Sequence, residues 1–383
     1  MDFKLTSEQQ LLQDSVRRYV DKAYGFEVRA AQLAPMAQAA TRREAGLAHW
    51  QAFADNGWLA AALPETHGGL GGSLVETALI AHELGRGLLL EPYLGCAVLA
   101  AQTLAAGGSA AQLQRWLPAL ADGSRRMALA YSEPGSRGLP LPLTTAAQRR
   151  GSGYVLGGRK TLVLSGGLAD AYLVSARVEG AGALTLFVVD AAAAGLRRQA
   201  LPLHDGRWAE ELVLEDVAVD ADAVLGEPGG GLPALRTGLA HGIVAQGAEL
   251  VGAMERVIEL SVEYLKTRRQ FGVAIGSFQA LQHRVADMAA EMEMARSMLY
   301  AALAAMAGSE ADGGAQRQRT LSGAKALIGR VARFVCGQGI QLHGGIGMTE
   351  EYAVGHYFKR AVVADLVLGS SERHEAACAL ALG

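Results

Sequence analysis

Cysteine is scarce: Cys96, Cys336 and Cys378 are the only three in 383 residues. Odd in number, far apart and set in apolar sequence, they exclude a disulfide framework and a metal knuckle, and are expected as buried thiols of a reduced compartment. An excess of charge of one sign is lacking too. The formal net charge is −3 with both signs scattered along the chain, so there is no electrostatic footprint for a nucleic-acid backbone or an anionic membrane. No apolar stretch approaches an uninterrupted membrane span, and the opening residues have neither an apolar core nor a cleavage site. These absences predict a cytoplasmic protein with no nucleic acid and no membrane span, whose partners are small molecules or other subunits.

Several catalytic signatures are missing as well. There is no HExxH, no GxSxG nucleophile elbow, no P-loop and no cysteine beside a compelling base. The nine histidines are dispersed. His82, His241 and His283 fall within helical patterns, where a structural role is expected.

What is present points to a folded protein: half the residues are hydrophobic and only 19% are charged, which excludes disorder. The chain is too long for one ordinary core, so two or three domains sharing one folded body are expected. The first third reads as helices. Ser7 with Gln10 suggests a capping box that opens an amphipathic segment through Leu12, Val16 and Tyr19. Glycine and proline punctuate the chain from Pro64 to Gly72 before another helical stretch through Leu74, Ala78, Ala81 and Leu84.

From about Met127 the pattern changes to short β-branched and aliphatic runs, Tyr154 to Val163, Ala171 to Val178, Leu184 to Val189 and Leu212 to Val219. No long helix interrupts them, so an antiparallel barrel or sandwich is expected. After the break at Pro228 to Gly231 three apolar stripes follow at helical spacing, through Val251 to Leu265, Phe278 to Leu299 and Ala324 to Val335, as the core of an antiparallel helix bundle requires. The expected fold is α+β, with an N-terminal helical domain over 1–126, a central antiparallel β-barrel over 127–228 and a C-terminal four-helix bundle over 229–383.

Three segments could carry chemistry. Thr267-Arg268-Arg269-Gln270-Phe271-Gly272 is either a polar turn, with Gly272 supplying the positive φ that ends a helix, or an anion site in which a guanidinium fork meets a pyrophosphate and Phe271 walls a ring system. Gln341-Leu342-His343-Gly344-Gly345-Ile346-Gly347-Met348 is either a turn or a place where exposed N–H groups let a bulky polar ligand approach the main chain. It follows a helix and lacks GxGxxG spacing, so it is no dinucleotide fingerprint. Tyr131-Ser132-Glu133-Pro134-Gly135-Ser136 is either a plain turn or a loop presenting hydroxyls to a ligand.

Taken in order with Gly57-Trp58, Pro64 through Gly71, Glu83-Leu84-Gly85-Arg86, Leu225-Gly226-Glu227, Phe278 through His283 and Ala286-Asp287-Met288, these segments resemble the acyl-CoA dehydrogenase family across nearly the whole chain. The runs Leu88 through Leu94, Tyr264 through Arg268 and Val354 through Arg360 are most similar to the bacterial pimeloyl-CoA dehydrogenase small subunit and the heteromeric dehydrogenases of steroid side-chain breakdown. The resemblance implies FAD as cofactor, an acyl-CoA substrate and an electron-transferring flavoprotein as acceptor. It implies that Arg268, Gln270 and Phe271, with Gln341, Gly344 and Gly345, hold the ADP moiety of the FAD of a neighbouring subunit, and that Ser132 and Ser136 face the flavin or the thioester.

The same resemblance exposes departures. The family reaction pairs loss of an α-proton to a carboxylate with transfer of a β-hydride to flavin. The usual glutamate falls on Leu368, before Gly369, and an alternative family position near Gly242 and Ile243 is also without one. Asp365, Glu372 and Glu249 are the nearest carboxylates in sequence, Asp365 and Glu249 being the candidates for a displaced base. After Lys160, Leu162, Val163 and Leu164 replace the family's aromatic, hydrophobic and hydroxyl residues, and the Ser-Glu-Pro turn is shortened at Arg137 and Gly138. The expectation is therefore a subunit of a heteromeric dehydrogenase, one of a dimer of dimers whose second dehydrogenase subunit carries the glutamate. A homo-oligomer with a displaced base and a non-catalytic acyl-CoA-binding scaffold are the competing readings.

Overall fold

A computed structural model describes residues 4–136, 138–141, 143–182, 184–308 and 314–380. Arg137, and the chain ends that bound the first and last expected domains, lie outside the described residues.

The N-terminal third is helical. It contains α1 (Ser7–Ala23), α2 (Phe26–Ala37), α3 (Arg42–Ala45), α4 (Trp50–Asp55), α5 (Leu74–Arg86), a π-helical stretch at Tyr93–Ala100, α6 (Ala101–Gly107) and α7 (Ala110–Ala121). The capping box of α1 sits one residue earlier than expected. Thr6, extended at φ −67°, accepts from Gln9 N while Gln9 returns a bond to Thr6 N, and Ser7 is already helical. A second box, Ser109 with Gln112, opens α7.

Eight strands follow: β1 (Met127–Ala130), β2 (Ala146–Arg150), β3 (Gly153–Leu164), β4 (Ala171–Val178), β5 (Thr185–Asp190), β6 (Leu196–Pro202), β7 (Trp208–Val219) and β8 (Val224–Leu225). The C-terminal part holds α8 (Leu232–Thr267), a hairpin of β9 (Arg269–Gln270) and β10 (Val273–Ala274), then α9 (Gln279–Ala307), α10 (Gly314–His343), α11 (Ala353–Leu366) and α12 (Ser371–Leu380). By contacts the chain divides into two units. One comprises Ala31–Thr77 and Leu90–Gly242, the other Met1–Ala30, Ala78–Leu89 and Ile243–Gly383.

The first unit is built on the sheet, ordered β6-β7-β3-β2-β4-β5-β8 with β1 added beside β4. This corrects the expected antiparallel barrel. The path is open, and β1 and β2 both pair with β4 in parallel. Closure would need edges able to pair, but β6 exposes most of its residues and β8 has only two. Inward residues at period two, among them Leu156, Tyr172, Val174, Phe187, Leu212 and Leu214, form its core. Strand β3 pairs β7 with register shifts between Leu156 and Gly158 and between Lys160 and Val163. Leu162 occupies the second irregularity at φ +52°, where the backbone twists away from regular pairing.

In the second unit α10 packs against α9, α11 and α12, so the C-terminal domain is helical with a fifth helix beyond the expected four. Two glycines bring α5 and α8 into backbone contact. A Cβ on Gly85 would lie 2.0 Å from Glu249 O, and one on Gly252 would lie 2.0 Å from His82 O. The crossing thus requires glycine on both helices. Only the second half of the α9 stripe is buried, from Met288 onward, while Phe278 remains 38% exposed. Cys96 and Cys336 are buried and Cys378 is half-buried; burial pushes the first two thiols up to about 12.

Candidate functional site

The turn Ser132–Ser136 is locked to strand β3. Lys160 follows Tyr154 and Leu156 on the inward face at period two and is fully buried. Its ammonium donates to Glu133 Oε1 at 2.8 Å and to Ser175 Oγ at 3.0 Å. Glu133 also accepts from the backbone N–H groups of Thr144 (2.6 Å) and Thr145 (2.9 Å) and from the Thr144 hydroxyl. Burial acts to raise the Glu133 carboxyl, but the Lys160 charge and these hydrogen bonds outweigh it and hold the group at about 2. Burial lowers the Lys160 ammonium to about 8 against the pull of Glu133. Ser136 Oγ accepts from Glu133 N at 2.9 Å and lies 3.3 Å from Ser132 Oγ, while Ser132 O accepts from Thr161 N at 2.9 Å. The inward position of Lys160 was legible as a signal, because a buried lysine needs a carboxylate.

The hairpin after α8 is the opposite case. Helix α8 ends at Thr267, so Gly272 does not terminate it. Gly272 at φ +84° and Phe271 at φ +53° are the two central residues of the β9–β10 turn, both left-handed as a tight right-twisted hairpin requires. Glycine accepts that conformation freely; phenylalanine does not. Phe271 is nonetheless 90% exposed, its ring edge-to-face with Phe278 at 6.2 Å between centroids. Arg268 and Gln270 are also exposed.

At the end of α10, Gln341, Gly344 and Gly345 are exposed. Gly344 adopts φ +63°, and neither glycine has an atom within 4 Å of where a Cβ would stand. The preceding residue is packed into the helix end. His343 is buried between Tyr264 and Tyr352, with ring centroids 4.5 and 4.9 Å away, and its Nδ1–H donates to Gly339 O at 2.8 Å. Two exposed glycines with open space where side chains would stand let an anionic ligand such as a pyrophosphate approach the main chain closely.

Leu368 is buried and left-handed, at φ +64°. Its carbonyl accepts from His374 Nε2 at 2.8 Å. Asp365 accepts from Ser371 N at 3.0 Å and from the Ser371 hydroxyl, capping α12, and lies 3.4 Å from Arg333. Lys325, lowered to about 8 by burial, donates to Ala364 O at 2.9 Å. Glu249 forms a buried ion pair with Arg360, whose guanidinium also donates to Leu89 O at 2.7 Å. Glu372 is exposed at the start of α12. Among the described residues no cluster of histidine, cysteine and carboxylate side chains could hold a metal ion, and no helix is long and apolar enough to cross a membrane.

Family models for the acyl-CoA dehydrogenase N-terminal, middle and C-terminal domains match residues 6–124, 128–217 and 229–382. The chain belongs to the acyl-CoA dehydrogenase family. It is similar to mitochondrial isovaleryl-CoA dehydrogenase of Solanum tuberosum, 30% identical over 84% of this chain and 79% of that protein. It is also similar to a short-chain specific acyl-CoA dehydrogenase of Clostridium acetobutylicum, 28% identical over 97% of both. Among solved structures it superposes on a chain of the ChsE4-ChsE5 complex from Mycobacterium tuberculosis, with TM-score 0.88 and 28% identity over 100% of this chain and 99% of that one. A chain from a variant of the Tcur3481-Tcur3483 steroid acyl-CoA dehydrogenase gives TM-score 0.85 and 29% identity over 98% of this chain and 97% of that one.

Members of the family bind FAD. The described residues fit its ADP moiety: Arg268, Gln270 and Phe271 are exposed, and the Gly344–Gly345 backbone is open. At Leu162 and Leu164 neither an aromatic ring nor a hydroxyl is present for the isoalloxazine.

Proposed function

We propose that this chain is the glutamate-lacking subunit of a heteromeric, FAD-dependent acyl-CoA dehydrogenase that desaturates an acyl-CoA thioester between its α and β carbons. Bound FAD supplies the hydride acceptor. Arg268 and Gln270 bind the pyrophosphate of the FAD whose isoalloxazine lies in the second subunit, Phe271 covers its adenine, and Gln341 with the Gly344–Gly345 backbone completes that contact. Ser132 and Ser136, buried and bonded to one another, shape the turn that faces the flavin or the thioester end of the ligand, and Glu133 and Lys160 hold that turn in place. The α-proton goes to a glutamate of the second subunit, and the electrons leave to an electron-transferring flavoprotein. The three-part division at 126/127 and 228/229 belongs to the same reading, and the matched family domains support it.

One observation carries the proposal: the usual base position is an aliphatic side chain, and both carboxylates that were candidates for a displaced base, Asp365 and Glu249, are already engaged. Leu368 is buried and cannot accept a proton. Glu249 is tied to Arg360 and Asp365 caps α12 through Ser371, so using either as base would break a structural contact. This weighs against a displaced base. The likeness to chains of the ChsE4-ChsE5 and Tcur3481-Tcur3483 complexes supports an unlike partner.

The test is to produce the chain alone and together with glutamate-bearing family subunits from the same organism, measuring flavin absorbance and acyl-CoA-dependent dye reduction. Flavin retention and turnover are expected only in the co-produced complex. Full flavin occupancy and turnover by the chain alone would sink the proposal, and absence of flavin in both preparations would favour a non-catalytic acyl-CoA-binding scaffold.

A further inference from the structure

A buried carboxamide normally has both ends bonded, because it carries two donors and an acceptor and cannot shed its polarity by changing protonation. Gln246 departs from this. It is 1% exposed, and neither Oε1 nor Nε2 has a hydrogen-bond partner among the described residues. The helix around it is fixed, since α8 meets α5 in backbone contact at Gly85 and Glu249, so the side chain cannot be freed by tilting the helix. Every residue from Gly242 to Met254 is buried, and apart from Glu249 the neighbours along this stretch, Ile243, Val244, Ala245, Leu250 and Val251, are aliphatic. A valine or leucine would satisfy such a position at no polar cost.

Helical spacing sets Gln246 on one face with Gly242 four residues before and Glu249 three residues after. That is the face on which the family resemblance places the alternative base position near Gly242 and Ile243. The charged nucleotide end of coenzyme A does not suit so aliphatic a setting; an acyl chain does.

We infer that Gln246 is a specificity determinant that hydrogen-bonds an oxygen function, a keto, hydroxyl or carboxyl group, carried on the acyl chain of the thioester ligand. The inference rests on the acyl-CoA reading above and deepens it by naming the substrate class. An unsubstituted alkyl chain leaves the amide unpaired in the complex. An oxygenated chain pairs it, and discrimination follows from the unpaired buried group as much as from the new bond.

The test uses the full chain, in complex with its partner subunit where one is required. Octanoyl-CoA, octanoyl-CoA analogues bearing a keto or hydroxyl group at successive chain carbons, and suberoyl-CoA are titrated calorimetrically into wild type and the near-isosteric Gln246→Met. At least one oxygenated thioester is expected to bind wild type about tenfold more tightly than octanoyl-CoA. That advantage disappears in Gln246→Met, whose unligated thermal midpoint rises because an unpaired buried amide has been removed. Gln246→Glu provides a second variant that loses the donor and keeps the size. With it the preference for keto and carboxyl chains should fall. The same ligand ranking in all three proteins overturns the inference, as does a lower midpoint or failure to fold in Gln246→Met, because the amide would then already be satisfied within the protein. If no thioester binds at all, the acyl-CoA reading fails and the inference with it.

Discussion

The turn Ser132–Ser136 and the hairpin Arg269–Ala274 are both short, polar and glycine-bearing, yet they use their side chains in opposite ways. In the turn, Ser132, Glu133 and Ser136 are buried and bonded to one another, to Lys160 and to the Thr144–Thr145 backbone. In the hairpin, Gln270 and Phe271 are exposed, with Phe271 held in a left-handed conformation that aromatic residues seldom adopt. The first region satisfies its groups from within the chain and so acts by shaping the backbone. The second leaves its groups facing outward at a conformational cost, as expected of residues reserved for something that binds.

The sharpest way to break this contrast is to remove the lysine. Lys160→Met leaves Glu133 charged, buried and without its cation, and is expected to cost about 3–5 kcal/mol of stability. The double variant Glu133→Gln, Lys160→Met removes both charges and should recover much of that loss, measured as the shift in urea midpoint. A Lys160→Met midpoint close to wild type would mean that the turn is not held by this pair.

A second saturated network extends the first half of the comparison. His82 lies between Glu83, at 3.1 Å, and Glu255, at 3.0 Å, while Arg17 and Arg86 also meet Glu83, and Arg86 meets Glu255 and Glu259. Arg256 and Arg296 add positive charge from α8 and α9. Burial would lower His82, but the adjoining carboxylates of Glu255 and Glu83 raise it above its ordinary 6.5. Burial would raise Glu83, but His82 and Arg17 hold it at about 2, and the bond from His82 leads the effects holding Glu255 at about 2. Depressed carboxyls give stability that is fully present above 4.5 and lost as pH falls toward 2. The raised histidine gives stability that is fully present below 6.5 and lost as pH climbs through its folded value. The thermal midpoint should therefore be highest between 4.5 and 6.5, with about 3 kcal/mol lost from Glu83 on the acid side. His82→Asn should flatten the alkaline limb. An unchanged pH profile in that variant would show that His82 is not the group that titrates there.

Much of this was legible in the sequence where the signal is local. Runs of β-branched and aliphatic residues found β3, β4 and β5, alternation found β7, and helical stripes found α8, α9 and α10. The start of α1 slipped by one residue because Thr6 and Ser7 can both cap, and only backbone geometry chooses between them. Strand order is a non-local property, so the expected barrel gave way to an open sheet with parallel pairs at β1 and β2. β6 escaped notice because an exposed edge strand has no apolar alternation. Lys160 was passed over, although its place at period two with Tyr154 and Leu156 was a signal, and nothing in the sequence identified Glu133 as its partner. Nor could the sequence distinguish Gln246, with no partner among the described residues, from Gln102, which donates to Ala62 O; satisfaction of a polar group exists only in three dimensions.

The hairpin offers the smallest effect and the most direct test of its half of the comparison. A left-handed conformation costs a residue bearing a Cβ about 1–2 kcal/mol. Phe271, being 90% exposed, has little burial to set against that. Phe271→Gly removes the strain and adds back some chain entropy in the unfolded state, so a net gain of about 1 kcal/mol and a thermal midpoint higher by roughly 2 °C are expected. If the ring is retained for the adenine of FAD, the same substitution must weaken FAD binding by the assembled protein, read by equilibrium titration of the flavin. Higher stability with weaker flavin binding is the signature of a residue kept for its ligand. A lower midpoint with unchanged flavin binding would make Phe271 a structural residue like those of the Ser132–Ser136 turn, and the contrast between the two regions would collapse.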